Sequence, residues 1–523
     1  MELRRRVAST VIGFSLLLLI FTTVVFLKFD TIYRKLLNER VKLREGSQTD
    51  KLWRDVGLGF RTAAKFYFFN ITNPEEIQRG APAQLRELGP YTYRTKWVRD
   101  NITFNGNGTV TFTQKIFYFF DEQESGGTED DVITIINVPL AAFADQIKGK
   151  SFVVRGLARI PVKKFNLQLL VRRTIRELTF QGYPDVLVTL KEMAKDREKD
   201  LSGLFRSGFR TAVDVLGKKS QDSFKTFSFM GDKNGTRSET MTMFTGEGDI
   251  TKVNNIQLVN GETHVPVWTE PCNIVQGSFG QVRPPFSASN DQAVFIPDLL
   301  RSLPLSYAGK SVVNRIKTRR FSLDEKAFAS AELVPENACY AGSRTLPSGL
   351  ADLGPLRMGA PIAMSLPHFL NANASLQNAI QGLKPNGEQH MLYLDSDPVT
   401  GVTLAARARI QLNVLLQQVP GFDPFKNIQS QVVPLFWQET CADAKENTLR
   451  NIRLATRLPF YVKTLATVLF VLSMIAFAAA LTVLIRFARY QKRRITTKDE
   501  KQISVLLLEG SGHQPSDIKS SIV

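Results

Sequence analysis

Two runs without a charged residue interrupt an otherwise mixed pattern of apolar and polar positions. Val7–Leu27 covers 21 residues and Thr464–Ile485 covers 22. As helices they would each be about 30 Å long, enough to cross the hydrocarbon core of a bilayer. A surface helix of a soluble protein would show a polar stripe, and the second run shows none. Its Ala476, Ala478, Ala479 and Ala480 offer a small-residue surface where another helix can come close. The first run ends in Val25-Phe26-Leu27-Lys28 rather than in the small residues of a cleavage site, which favours an anchor over a cleaved signal peptide.

Between the runs the pattern changes several times. From Asp30 to Arg54 it mixes apolar and charged residues, and predicts a helix continuing out of the membrane. Thr109–Thr113 and Lys115–Phe120 predict two strands, and Val132–Val138 another. Leu140 to Phe180 predicts helix carrying basic residues, and Asp185 to Leu216 predicts helix again. From Lys225 to about Val433 short strands alternate with turn signals such as Gly231-Asp232, Asn234-Gly235 and Asn260-Gly261. No repeat and no Pro/Ser-rich linker divides this stretch. The expected organisation is a short cytosolic segment (1–6), a transmembrane helix (7–27), one large outer domain (28–463), a second transmembrane helix (464–485) and a polar cytosolic tail (486–523).

Charge and sequons orient the chain. Arg4, Arg5 and Arg6 precede the first run, and Arg486, Arg489, Lys492, Arg493, Arg494 and Lys498 follow the second, as for cytoplasmic flanks. Lys28, Arg34 and Lys35 blur that signal. Five Asn-x-Ser/Thr sequons, at Asn70, Asn101, Asn107, Asn234 and Asn373, all fall between the runs. They place that region outside the cytosol as glycosylation acceptors. The formal charge of +18 then points to anionic lipid or an acidic partner, since two membrane anchors argue against nucleic acid. Cys272, Cys339 and Cys441 lie in the same region, where an oxidising compartment favours one pair and leaves one thiol over. Spacing does not choose the pair.

Catalytic chemistry is not legible. There is no phosphate-binding Gly-x-x-x-x-Gly-Lys-Ser/Thr loop and no His-Glu-x-x-His. Gly106/Gly108 and Gly246/Gly248 read as turns, and Gly510-Ser511-Gly512 has no strand before it. His264, His368, His390 and His513 have no metal-ligand spacing. No catalytic residue, metal or cofactor is expected. The tail ends Ser521-Ile522-Val523, a pattern that a PDZ groove takes by strand addition, with Ser521 and Val523 as its anchors. Leu506-Leu507-Leu508 lacks the upstream acid of a lysosomal sorting signal, so the plasma membrane is expected before the lysosome or endosome.

Several segments are more specific. Phe66 to Arg94 contains Phe-Asn-Ile-Thr-Asn-Pro-Glu-Glu (69–76) and Glu-Leu-Gly-Pro-Tyr-Thr-Tyr-Arg (87–94). In order there follow Arg173–Leu178 with Gly182-Tyr183, Gly248–Val253, Asn260–Trp268, Phe295–Leu299, Ser365–Phe369, and His390–Asp395 with Pro398-Val-Thr-Gly401. This series resembles the class B scavenger receptor family (the cluster of differentiation 36 family) across the whole outer region and both anchors. The resemblance implies an α+β fold: an antiparallel β-barrel with an apical helical bundle, flanked by two transmembrane helices. It also implies a receptor that binds lipoprotein-like particles or anionic lipids. A hydrophobic tunnel would pass fatty acids, sterols or phospholipids to the membrane.

The resemblance further assigns residues. Cys272 and Cys339 fall on one family cystine pair and are expected to be bridged. Leu300 and Leu356 fall on a second pair, replaced together, and Ala341 on half of a third. Lys163 and Lys164 fall where the family's ligand-binding lysine lies. Around them Lys148, Lys150, Arg155, Arg159, Arg172 and Arg173 extend a basic helical surface, of which Lys150 and Arg159 are the further candidates for ligand contact. A PDZ protein and a second copy of the chain are further expected partners. The rival readings are a lysosomal or endosomal membrane protein for lipid export or enzyme sorting, and an adhesion protein without a tunnel.

Overall fold

The computed structural model describes residues 2–195, 212, 213, 216, 223–342 and 344–509. Most of the helix expected over 185–216 and the whole tail from Gly510, with His513, Ser521 and Val523, lie outside the described residues. The chain divides into two compact units. One joins the residues up to Leu37 with those from Leu454 onward, and the other spans Asn38–Arg453.

The first unit holds most of two long helices, Glu2–Val41 and Glu446–Glu509. Each is long and apolar enough to cross a membrane. Nearly all their apolar side chains point outward, but two stripes are buried: Ala8, Ser15 and Thr22 on one helix, Ala466, Ser473 and Ala480 on the other. Both stripes repeat every seven residues, the period that keeps one seam facing a neighbouring helix. Small residues there let the backbones approach, and the Ser473 hydroxyl donates to the Ser15 carbonyl at 2.8 Å. Lys463 pairs with Asp30 at 2.7 Å. Of the four alanines singled out in the sequence, only Ala480 lies in the seam; Ala476 is half-buried, and Ala478 and Ala479 are exposed.

The second unit is built on one antiparallel sheet of 13 strands. In chain order its first members are β1 (Phe60–Ile71), β2 (Leu85–Asn105) and β3 (Thr109–Phe120). A separate pair follows, β4 (Val132–Ile136) with β5 (Leu170–Thr174), and another, β6 (Tyr183–Pro184) with β7 (Thr226–Phe227). The main sheet resumes with β8 (Met241–Phe244), β9 (Ile256–Val259), β10 (Asp291–Ile296), β11 (Arg301–Val313), β12 (Ile316–Leu323), β13 (Ala351–Asp352), β14 (Ile362–Ser365), β15 (Tyr393–Ser396), β16 (Thr403–Leu416) and β17 (Gln431–Ala444). The spatial order is β10-β11-β12-β15-β16-β17-β1-β2-β3-β8-β9, with β14 on β16 and β13 on β14. The edge strands nearly meet. Ile256 N donates to Gly277 O at 2.8 Å, and Ser278 N donates to Ala293 O at 2.9 Å. The 277–278 segment thus stitches β9 to β10 and leaves little open edge.

Local chemistry explains several motifs. β1 is central, with both faces covered, so its aromatic run Phe66, Phe68 and Phe69 is buried almost without alternation. Gly89, in the Glu-Leu-Gly-Pro stretch, has φ +131, and a Cβ there would lie 2.7 Å from the Phe66 carbonyl oxygen. Gly401 closes the β15–β16 turn at φ +77, with a Cβ position only 2.0 Å from the Arg283 carbonyl oxygen. Asp397 caps that turn by accepting from Thr400 N and Oγ1, both at 2.7 Å.

Four expectations change. The helix expected from Asp30 to Arg54 stops at Val41, and a separate short helix capped by Ser47 spans Gln48–Arg54. Leu140–Phe180 is not one helix: Val138–Lys148 and Phe152–Lys164 are helical, but Leu170–Thr174 is β5. Pro161 lacks a donor and Asn166 has φ +47, which ends the helix. The following residues then pair with Val132–Ile136, a partner that local pattern does not reveal. The two strands around Gln114 are one. The strands after Lys225 are not all short, since β11 has 13 residues and β16 and β17 have 14 each.

Candidate functional site

The basic helical surface begins with two capped helices. Asn137 accepts from Leu140 N at 3.1 Å, and Ser151 accepts from Val154 N at 3.5 Å. The first helix buries Leu140, Ala144 and Ile147, and the second buries Ala158, Pro161 and Val162. Residues 146–176 contain no Asp or Glu, but hold nine Lys or Arg residues. The nearest upstream acid, Asp145, is held by Arg344 at 2.6 Å.

The structure sorts these cations. Arg159 donates through Nε to the Gly421 carbonyl at 2.9 Å, and Lys148 reaches the Gln417 side chain. Both tie the helices to the β16–β17 connection. Arg172 and Arg173 lie on β5, and Arg173 stacks over the Tyr183 ring at 4.3 Å. Arg176 pairs with Asp130 at 3.0 Å. Lys150, in the connection between the helices, and Lys163 and Lys164, in the last helical turn, are exposed. Of the four ligand-contact candidates, Lys150, Lys163 and Lys164 therefore face solvent, and Arg159 serves the backbone.

An aromatic core lies beneath. Phe66 sits 5.6 Å from Tyr93 and 6.0 Å from Phe436, and Phe229 sits 4.9 Å from Phe436. The same cluster continues without a break through Ile133, Leu140, Phe143, Leu178 and Leu190 into the helical region. Tyr91 and Tyr93 donate to Asp131 and Glu129, each at 2.9 Å, and burial pushes both phenols up. A small solvent-open notch is lined by residues of 323–371, including Leu323, Phe328 and Leu366. It is a local notch that does not reach the aromatic core.

Sequence pattern also missed a buried polar network. His368 Nε2 meets Glu87 at 2.6 Å, and Trp437 Nε1 donates to the same oxygen at 2.9 Å. The His368 and His390 rings stack at 4.4 Å. Burial pushes Glu87 up, but the hydrogen bonds from His368 and Trp437 outweigh it and hold the carboxyl below its usual range. Burial, with the neighbouring His368, lowers His390 to about 4. Close by, Arg409 and Glu439 pair at 2.6 Å, and Arg409 donates to the carbonyls of Glu388 and Met391. The signal for this network was the two histidines inside the Ser365–Phe369 and His390–Asp395 motifs.

Cys272 and Cys339 form a disulfide, and Cys441 is free and buried, its thiol donating to the Ala63 carbonyl at 3.4 Å. Burial pushes that thiol up. Leu300 and Leu356 pack on one apolar cluster that includes Trp268 and Phe295. Asn101, Asn107, Asn234 and Asn373 are exposed; Asn70 is half-buried and accepts from Thr134 N at 2.8 Å. Among the described residues, no group of three His, Cys, Asp or Glu side chains is placed to hold a metal ion.

Comparison with known proteins agrees with this architecture. The model of the CD36 family matches residues 11–484. Scavenger receptor class B member 1 of Bos taurus is 29% identical over 451 residues, covering 86% of this chain and 83% of the relative. Lysosome membrane protein 2 of Mus musculus is 28% identical over 468 residues, covering 86% of this chain and 91% of the relative. The same protein of Homo sapiens is 27% identical over 468 residues, covering 86% and 91%.

Proposed function

This chain belongs to the CD36 family, and from that membership we propose that it is a class B scavenger-type membrane receptor that takes lipid from particles docked on its basic helical surface. The observation that carries the docking reading is the acid-free run 146–176, with Lys150, Lys163 and Lys164 exposed on it. Phospholipid headgroups, fatty-acid carboxylates and acidic particle proteins are negative. Exposed cations raise their encounter rate and hold them at low salt. Replacing Lys163 and Lys164 by Glu should cut retention of anionic lipoprotein or vesicles about tenfold, by removing two attractions and adding two repulsions. Unchanged binding at normal surface expression sinks the assignment.

The second step is passage of the lipid to the bilayer. Hiding a sixteen-carbon chain from water is worth roughly 12 kcal/mol at ~0.8 kcal/mol per methylene, so a shielded route removes most of the barrier to crossing water. Such a route would run along the continuous apolar cluster that joins the helical region to β1, β2 and β17. Lipids identified by mass spectrometry in the purified full-length chain test it; a chain that carries none and transfers none from donor vesicles is an adhesion protein. In this reading residues 28–463 lie outside the cytosol and carry glycans at the five sequons. Glycosidase treatment should raise the gel mobility of the expressed chain.

A lysosomal role is the second reading, favoured by the similarity to Lysosome membrane protein 2. Localisation of a tagged chain separates the two.

A further inference from the structure

The helix of residues 152–164 meets the apolar core from Val154 onward, through Val154, Leu157, Ala158, Ile160 and Val162. Its first turn lies beyond that contact. Phe152 is 78% exposed and Val153 is 68% exposed. In the Asn38–Arg453 unit they are the one place, among the described residues, where two consecutive large apolar side chains are both so exposed. Ser151 caps the helix directly before them, which holds the pair on a fixed element instead of a loose loop. Lys150 stands one residue before, and Lys163 and Lys164 end the same helix.

We propose that Phe152 and Val153 insert between the acyl chains of a phospholipid surface while Lys150 beside them, and Lys163 and Lys164 at the far end of the helix, meet its phosphates. The inference rests on the docking reading above and names its partner: the lipid monolayer of the particle, not the particle's protein. The chemistry favours lipid. Two apolar tips beside Lys150, on a helix that ends in Lys163 and Lys164, match the layering of a lipid interface, where charge lies outermost and hydrocarbon a few ångströms below. Such a surface accommodates an isolated pair wherever it lands, whereas a protein partner must supply a shaped pocket for it. Exposed apolar pairs rimmed by charge are otherwise a standing cost in water.

The test uses the full-length chain in phosphatidylcholine nanodiscs and protein-free fluorescent vesicles of phosphatidylcholine with about one-fifth phosphatidylserine. F152S/V153S should lower vesicle retention about tenfold, and F152L/V153L should restore it to within about twofold, because Leu keeps the apolar area. At about 0.5 M NaCl the lysine contribution is screened, so the retention that survives should depend on the apolar pair alone. F152W should show indole emission shifted to the blue on vesicle addition, quenched by brominated acyl chains.

Retention by F152S/V153S equal to the unsubstituted chain, with K163E/K164E still defective, overturns the insertion and leaves the basic docking surface standing. Loss of binding to delipidated particle protein with vesicle retention intact also overturns it, and assigns the pair to a protein partner. An unsubstituted chain that retains no vesicles at either salt overturns the insertion and the docking reading together.

Discussion

The barrel and the helical surface treat charge in opposite ways. Inside the sheet, a buried charge meets its opposite. Asp395 is 2% exposed and takes Arg320 at 2.9 and 2.7 Å, and Arg409 and Glu439 pair at 2.6 Å with both side chains largely covered. Where no acid is present, the sheet offers rings and carbonyls: Arg99 lies 4.7 Å from the Trp53 ring and donates to the Trp53 carbonyl. On the helical surface nine cations stand in sequence without an acid, and Lys150, Lys163 and Lys164 are left in water. Burying a charge is costly unless it is paired, so the first arrangement is what folding requires. The second is not required by folding, and its exposed ammonium groups can be reached by a ligand.

The comparison breaks if barrel substitutions alter docking without altering stability, or if helical ones do the reverse. The largest effect is expected for E439A. It strands the Arg409 guanidinium and should cost about 4 kcal/mol, measured as a fall in melting temperature of the purified chain. Vesicle retention by the fraction that folds should be unchanged. Next, C272S/C339S opens a loop closed across a sequence separation of 67 residues. It should cost about 3 kcal/mol in the same measurement.

The His368–His390 pair sharpens the comparison through pH. The folded protein holds His390 at about 4, below the value near 6.5 of an unfolded chain. The unfolded state then binds more protons between those values, so stability falls as pH drops through that window. The loss should be about 2 kcal/mol between pH 7 and pH 5, and H390N should flatten that slope. A chain working in an acidic lumen would bear this loss, and one at the cell surface would not. The smallest stability effect, within about 0.5 kcal/mol, is expected for K163E/K164E, since both side chains are exposed. A large melting shift there would show that the lysines hold the fold and would remove them from the docking surface.

How far the sequence could be read depended on whether its signal was local. Turn glycines, strand alternation in β3 and the two charge-free runs were legible, because backbone strain and bilayer thickness act over a few residues. β5 was not, because its partner lies 34 to 42 residues upstream, by the pairing of Leu170 with Ile136 and Thr174 with Val132. Arg159 had the composition of a ligand contact, but the Gly421 carbonyl that claims it is 262 residues away. The Ser365–Phe369 and His390–Asp395 motifs identified the family, yet they serve the barrel: His368 and His390 stack there, and Asp395 holds Arg320.

The sequence by itself determined two helices long and apolar enough to cross a membrane, a strand-rich region between them, the family, and a stretch of positive charge without an acid. Those properties follow from composition and short-range pattern. Only the tertiary structure decided that Ala480 rather than Ala478 faces the partner helix, that three of the four candidate cations stay in water, and that Phe152 and Val153 stand outside the core. Burial depends on what the rest of the chain brings alongside, and an apolar residue reads the same in sequence whether that neighbour arrives or not.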